Sequence, residues 1–268
     1  MRVEQLGEGP PEIAVVGAIH GDEPCGARAV EQLIEQRPPV SRPVKCVLAN
    51  EEALARGVRY VEADLNRSFP GDPEGPTHEA RLAAELTAEL EGCTTFSLHS
   101  TRSHPEPFAA VTGVDDLDQR VLPQLSVVAA IDATHNVQGR LFASGGVIEV
   151  ECGLQGSPEA VENAHTLTRE FLAAVGALDE AETEAGRRAE TDPEPIPLFR
   201  LSEMIPKPDA DEYEVLVENF TRVEAGEVFA RADGEELTAG ESFYPVLLSA
   251  EGYEEIFGYT SERVGTVP

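Results

Sequence analysis

The apolar positions of this chain fall into short blocks whose spacing predicts strands alternating with helices. Ile13-Ala14-Val15-Val16 is a continuous apolar run of strand length that stops at Gly17. Ala27 to Glu35 follows at helical spacing, and Pro24 suits the first turn of that helix. Lys45 to Ala49 reads as a second strand and Glu51 to Arg56 as a helical turn. Thr77 to Glu91 sets Leu82, Leu86 and Leu90 on one face of a helix that Thr77 can cap. Thr94 to Leu98, Ser126 to Ile131 and Gly146 to Val150 are the next strands, and Pro158 to Val175 is a long helix. This alternation predicts an α/β fold, a mostly parallel sheet covered by helices on both faces.

The pattern then changes. Asp179 to Pro197 is acidic, contains proline and is poor in apolar residues, as a linker is. Beyond it come short β-like runs, Glu214 to Val217, Val228 to Arg231 and Tyr244 to Leu248, punctuated by Asp233-Gly234 and Ala239-Gly240. The expected organisation is a catalytic domain over 1–178, a linker over 179–197 and a small β-rich domain over 198–268. Arg59 to Gly71 carries no period and ends in Pro-Gly, so it reads as a long loop.

Charge narrows the partners. The 268 residues include 50 acidic and 20 basic ones, a formal charge of −30. Nucleic acid and anionic membranes are excluded as partners on this balance. The acid is spread along the chain, as on a surface suited to high salt, and composition alone suggests a halophilic source. The four cysteines form no C-x-x-C pair and are expected as buried free thiols. The N-terminus shows no secretory pattern and no apolar run nears 18 residues, so a cytoplasmic protein is expected. The expected partners are a small anionic substrate and, at most, a second copy of the chain in a homodimer.

The chemistry gathers at predicted strand ends, where open α/β sheets place their sites. His20 and Glu23 lie between the first strand and the first helix, His99 follows the third strand, and Glu151 follows the fifth. Two histidines and one carboxylate with an open fourth position are a zinc set used for hydrolysis. Such chemistry needs a further carboxylate to take a proton from water and pass it to a leaving nitrogen. Glu149 and Glu151 both qualify, and strand alternation puts them on the same face. The loop supplies Arg59, Asp64, Asn66 and Arg67. Arginines so near the site, in a chain with few cations, point to an anionic substrate gripped through two parallel bonds.

Gly17-x-x-His20-Gly21-Asp22-Glu23-x-x-Gly26, Asp64-Leu65-Asn66-Arg67, Leu98-His99-Ser100 and Glu151-x-Gly153 occur in that order. Together they resemble the succinylglutamate desuccinylase/aspartoacylase family, a branch of the zinc carboxypeptidase-like hydrolases. The resemblance spans residues 13 to about 175 and resumes at Tyr244-Pro245-Val246. It implies a zinc carboxypeptidase-like domain followed by a β-rich one, and hydrolysis of the amide of an N-acylated acidic amino acid. It implies one Zn²⁺ held by His20, Glu23 and His99. Glu151 matches the general base, which settles the choice against Glu149. Arg59 matches the arginine that polarises the scissile carbonyl, and Asn66 and Arg67 match the grip on the substrate carboxylate. Arg140 is the nearest candidate for an arginine ahead of the Glu-x-Gly motif, and Tyr253 falls where the family brings a tyrosine to the substrate.

The chain departs from that pattern in its short second domain and in Arg102-Ser103-His104-Pro105. His78, His104, His135 and His165 have no partner spacing and are read as ordinary polar residues. Two other functions use the same residues: a metallocarboxypeptidase acting on peptide C-termini, and an inactive domain that binds an acidic ligand.

Overall fold

The structure is a computed structural model that describes residues 1–136, 138–178 and 195–267. In chain order its first half contains β1 (Arg2–Leu6), β2 (Ile13–Gly17), α1 (Pro24–Gln36), β3 (Val44–Leu48), α2 (Glu51–Arg56), α3 (His78–Leu90), β4 (Thr94–Thr101) and β5 (Phe108–Val111). There follow α4 (Asp116–Val121), β6 (Ala130–Asp132), β7 (Val147–Leu154) and α5 (Pro158–Ala174). The C-terminal part supplies β8 (Ile196–Pro206), β9 (Tyr213–Val215), β10 (Val228–Ala232), β11 (Glu235–Thr238), β12 (Tyr244–Val246) and β13 (Ile256–Val267).

Ten strands form one mixed sheet in the order β1-β3-β2-β4-β7-β5-β6-β8-β13-β12. Strands β3, β2, β4 and β7 run parallel, β5 is antiparallel to β7, and β6 and β8 resume parallel pairing from β5. A separate antiparallel sheet joins β11, β10 and β9. Among the described residues, no helix is long and apolar enough to cross a membrane.

Strand alternation divides the core in two. Ile13 and Val15 of β2, Phe96 and Leu98 of β4, and Ile148, Val150 and Cys152 of β7 face one layer, covered by α1 and α5. There Phe96 stacks on Phe171 of α5 at 4.5 Å between ring centroids. Each such side chain contributes about 1.5–3 kcal/mol by burial. Ala14 and Val16 face the other layer with Leu82, Leu86 and Leu90 of α3. Ser97, His99, Glu149 and Glu151 have the parity of this second layer. The sheet therefore presents all four polar side chains on one face while its other face stays apolar.

Several expectations are corrected. The strand expected over 126–131 is Ala130–Asp132; the backbone amide of Ser126 instead donates to Glu170 at 2.7 Å. His99 and Glu151 lie within β4 and β7, since backbone pairing continues past both residues. Of the linker expected over 179–197, residues 179–194 lie outside the described residues, and Ile196 and Pro197 open β8. Strand β8 pairs in parallel with β6, so the main sheet continues across the expected boundary. Strands β1, β5, β8, β11 and β13 and helix α4 have no counterpart in the pattern reading. The four cysteines are free, with Cys25, Cys46 and Cys152 buried and Cys93 half-buried.

Candidate active site

The loop from β2 to α1 carries His20 and Glu23. Gly17 and Gly26 let strand and helix touch there: a Cβ on Gly17 would lie 2.4 Å from the backbone of Gly26. Glu23 sits at the N-cap of α1 and Pro24 opens the helix, yet the Glu23 side chain caps nothing. It turns into the cavity instead. One oxygen lies 2.8 Å from His20 Nδ1 and 3.1 Å from the Arg59 guanidinium. The other lies 3.1 Å from His99 Nδ1 and accepts from the Ser100 amide at 3.1 Å.

Ligand atoms of His20, Glu23 and His99 thus lie within 4.8 Å of one another, all three residues buried. The outer ring nitrogens are held as well. His20 Nε2 is 3.1 Å from Asp64 Oδ1, and His99 Nε2 is 3.1 Å from Ser97 Oγ and 3.7 Å from Glu149 Oε2. Two imidazoles and one carboxylate, oriented from behind by polar partners and open to a cavity, fit a catalytic zinc ion.

The electrostatics of the cluster favour a cation. Burial works to lower both imidazoles, but the neighbouring carboxylates outweigh it. Glu23 and Asp64 raise His20, while Glu149 and Glu23 carry His99 up to about 10. Burial opposes ionisation of Glu23, yet His20 and His99 hold it well below the carboxylate range. Glu151 behaves differently. Burial, and then the charge of Glu23, push it up to about 7. Its Oε2 is buried and has no hydrogen-bond partner among the described residues. A carboxylate poised near neutrality with a free oxygen can both accept and return a proton.

The cluster lines a cavity of about 1050 Å³. Every residue expected at the site borders it: His20, Glu23, Arg59, Asn66, Arg67, His99, Arg140, Glu151 and Tyr253. Arg59 donates through Nε to Asp64 and through Nη1 to Glu23, both at 3.1 Å, so Nη2 is left for a ligand. Arg67 and Arg140 have no carboxylate partner among the described residues. Burial, and then the charge of Arg140, lower Arg67. Gly139, with φ +74°, closes that corner: a Cβ there would lie 2.4 Å from the Arg67 carbonyl oxygen. Asn66 is 2% exposed; its amide nitrogen reaches Glu149 at 3.3 Å and its oxygen accepts from the Leu141 amide at 3.0 Å. Tyr253 arrives on the segment between β12 and β13 and packs edge-on against Tyr259. Burial raises its phenol above the usual value, which keeps the hydroxyl protonated as a donor.

Residues 10–141 match the model of the succinylglutamate desuccinylase/aspartoacylase catalytic domain. Over that stretch, just under half of its length, this chain resembles the succinylglutamate desuccinylase/aspartoacylase family. The matched stretch includes the three candidate ligands and ends before Glu151 and Tyr253. Succinylglutamate desuccinylase of Pseudomonas paraeruginosa is 37% identical over 103 residues, 32% of this chain and 31% of that protein. N-alpha-acetyl-L-2,4-diaminobutyric acid deacetylase of Halomonas elongata is 28% identical over 66% of this chain and 58% of its own length. The chain thus spans from about a third to under two thirds of these curated relatives, which are hydrolases of amides. In fold it resembles a succinylglutamate desuccinylase/aspartoacylase from Rhodobacter sphaeroides, with TM-score 0.77 and 19% identity over 98% of this chain and 89% of that one. It also resembles murine aminoacylase 3, with TM-score 0.68 and 19% identity over 97% and 99% of the two chains.

Sequence reasoning gave no role to Asp64 and Ser97, which touch the cluster, and weighed Glu149 only as an alternative base. Asp64 lay inside a quoted motif, but only the fold brings it to His20. Ser97 and Glu149 stand two residues before His99 and Glu151, a period-2 signal that could have placed them beside the ligands. His78, His104, His135 and His165 do not border the cavity.

Proposed function

We propose that this chain is a zinc-dependent deacylase that hydrolyses the amide bond of an N-acylated acidic amino acid. The observation that carries this reading is the convergence of His20, Glu23 and His99 beside the buried Oε2 of Glu151, which has no partner among the described residues. Zinc bound by those three residues would supply Lewis acidity, drawing charge from a carbonyl and easing the deprotonation of water.

The chain's own groups supply the rest. Arg67 and Arg140 have no carboxylate partner among the described residues, in a chain of charge −30, and they suit the two carboxylates of an acidic amino acid. The second amide hydrogen of Asn66 is available to the same ligand. Arg59 lines the cavity with Nε and Nη1 engaged by Asp64 and Glu23, and its remaining Nη2 can stabilise an oxyanion as the carbonyl is attacked. Glu151 takes the proton from the attacking water and returns it to the amine nitrogen as the C–N bond breaks. The Tyr253 ring shuts water from this end of the cavity and its hydroxyl donates to the substrate.

The test is a screen of N-acetyl and N-succinyl derivatives of aspartate, glutamate and neutral amino acids, with zinc content measured on the same protein. One zinc per chain and amine release favouring the acidic members are expected. Release of C-terminal residues from peptides, with none from N-acyl amino acids, would replace this reading with a carboxypeptidase. Ligand binding with no turnover at full zinc would leave an inactive binding domain.

A further inference from the structure

Glu23 and Asp64 hold the histidines and Glu151 has a free oxygen, while a further cavity carboxylate, Glu149, lies against His99. Glu149 is 4% exposed, and a carboxylate so buried persists only with polar partners. Its Oε2 lies 3.3 Å from Asn66 Nδ2 and 3.7 Å from His99 Nε2. We propose that Glu149 is a positioning residue whose single oxygen sets the His99 ring and the Asn66 amide together, so that metal binding and substrate binding share one support. The inference rests on the zinc-deacylase reading.

The arrangement follows from strand register. Strands β4 and β7 run parallel with Ser97 opposite Glu149 and His99 opposite Glu151. Period-2 alternation keeps all four on one face. Glu149 therefore reaches diagonally to the outer nitrogen of His99, where Ser97 Oγ already lies at 3.1 Å. A group that holds the outer nitrogen of a liganding imidazole fixes the ring's orientation and tautomer.

The other half of the device runs through Asn66. Its backbone carbonyl accepts from Arg67 Nη1 at 2.7 Å, and its side-chain oxygen accepts from the amide of Leu141, the residue after Arg140. Displacing Asn66 therefore disturbs both arginines. One buried carboxylate thus links a metal ligand on β4 to the two guanidiniums that face the substrate.

The test uses the full chain carrying Glu149→Gln, Glu149→Ala, or Ser97→Asp together with Glu149→Gln. Zinc affinity is read by competition with a chromophoric chelator, and KM and kcat are read at saturating zinc. Glu149→Gln should weaken zinc about tenfold and Glu149→Ala by up to about 100-fold, with KM rising more than kcat falls. Adding Ser97→Asp places a carboxylate beside His99 Nε2 but not beside Asn66. It should restore most of the zinc affinity and leave KM high, a split that general loosening of the fold would not produce. If Glu149→Ala does not fold, the isosteric Gln variant and its rescue decide the matter. Parental zinc affinity and KM in Glu149→Gln would overturn the inference. Unchanged zinc affinity with kcat alone lost would also overturn it, by making Glu149 the base. A parent chain that binds no zinc would instead sink the zinc reading itself.

Discussion

Asp64 Oδ1 lies 3.1 Å from His20 Nε2, on the side of the ring away from Glu23. The same carboxylate accepts from Arg59 Nε at 3.1 Å and from the Asn66 amide at 2.8 Å. One side chain thus orients a candidate ligand, steadies an arginine and caps the turn that carries Asn66 and Arg67. Asp64→Asn keeps the shape and loses the charge. It should weaken zinc binding roughly 10- to 100-fold, the usual cost of losing an outer partner of a ligand. Chelator competition measures this, and an affinity equal to the parent's would show that Asp64 serves only the loop.

Glu151→Gln should retain zinc and lose roughly 10² to 10⁴ in turnover, the usual worth of a general base. Gln fills the same half-buried position but cannot accept the proton. Single-turnover kinetics on protein of verified zinc content check this, and near-parental turnover would move the base to another residue.

Arg67→Lys should raise KM for an acidic substrate with little change in the zinc-binding constant. Lysine keeps the charge but cannot present two parallel N–H groups to a carboxylate. The effect should be smaller on a substrate with a neutral side chain. Equal kcat/KM for parent and variant on both substrates would restrict Arg67 to a structural role.

Glu79 on α3 is fully buried and accepts from Asn50 Nδ2 and from the amides of Val61, Glu62 and Ala63, at 2.7–3.1 Å. It thereby fastens the start of the loop that carries Asp64, Asn66 and Arg67. Burial opposes its ionisation, but these bonds win and lower its pKa from the ordinary 4.5. A depressed folded pKa means that the stabilisation is full above about 4.5 and is lost as pH falls through the folded value. Glu79→Gln should cost about 2 kcal/mol or more near neutrality. Its deficit against the parent should shrink below pH 4.5. Denaturant unfolding at several pH values reads this directly, and a constant deficit would contradict the charge-based account.

At a formal charge of −30, self-repulsion opposes the folded state and salt screens it. Thermal stability should rise as salt goes from low to molar concentration. A flat profile across that range would show that self-repulsion takes little from the stability of the fold and would end the halophilic expectation.

Local pattern determined much of this protein. Helix α2 occupies the predicted residues, and α3 and α5 begin one residue after Thr77 and Ser157, whose side chains cap them. The candidate ligands His20 and Glu23 were legible because three residues of one loop cannot separate far. His99 and Glu151 were legible through motif order. Tertiary structure decided what those residues touch. Asp64 meets His20 across 44 positions and Asn66 meets Glu149 across 83, separations at which no local period carries information. It also decided that β8 pairs with β6, because strands are joined by backbone hydrogen bonds, which every sequence offers alike. The difference between Glu149 and Glu151 is of the same kind. Both share one strand face by alternation, and only the packed neighbours engage one carboxylate and leave an oxygen of the other free.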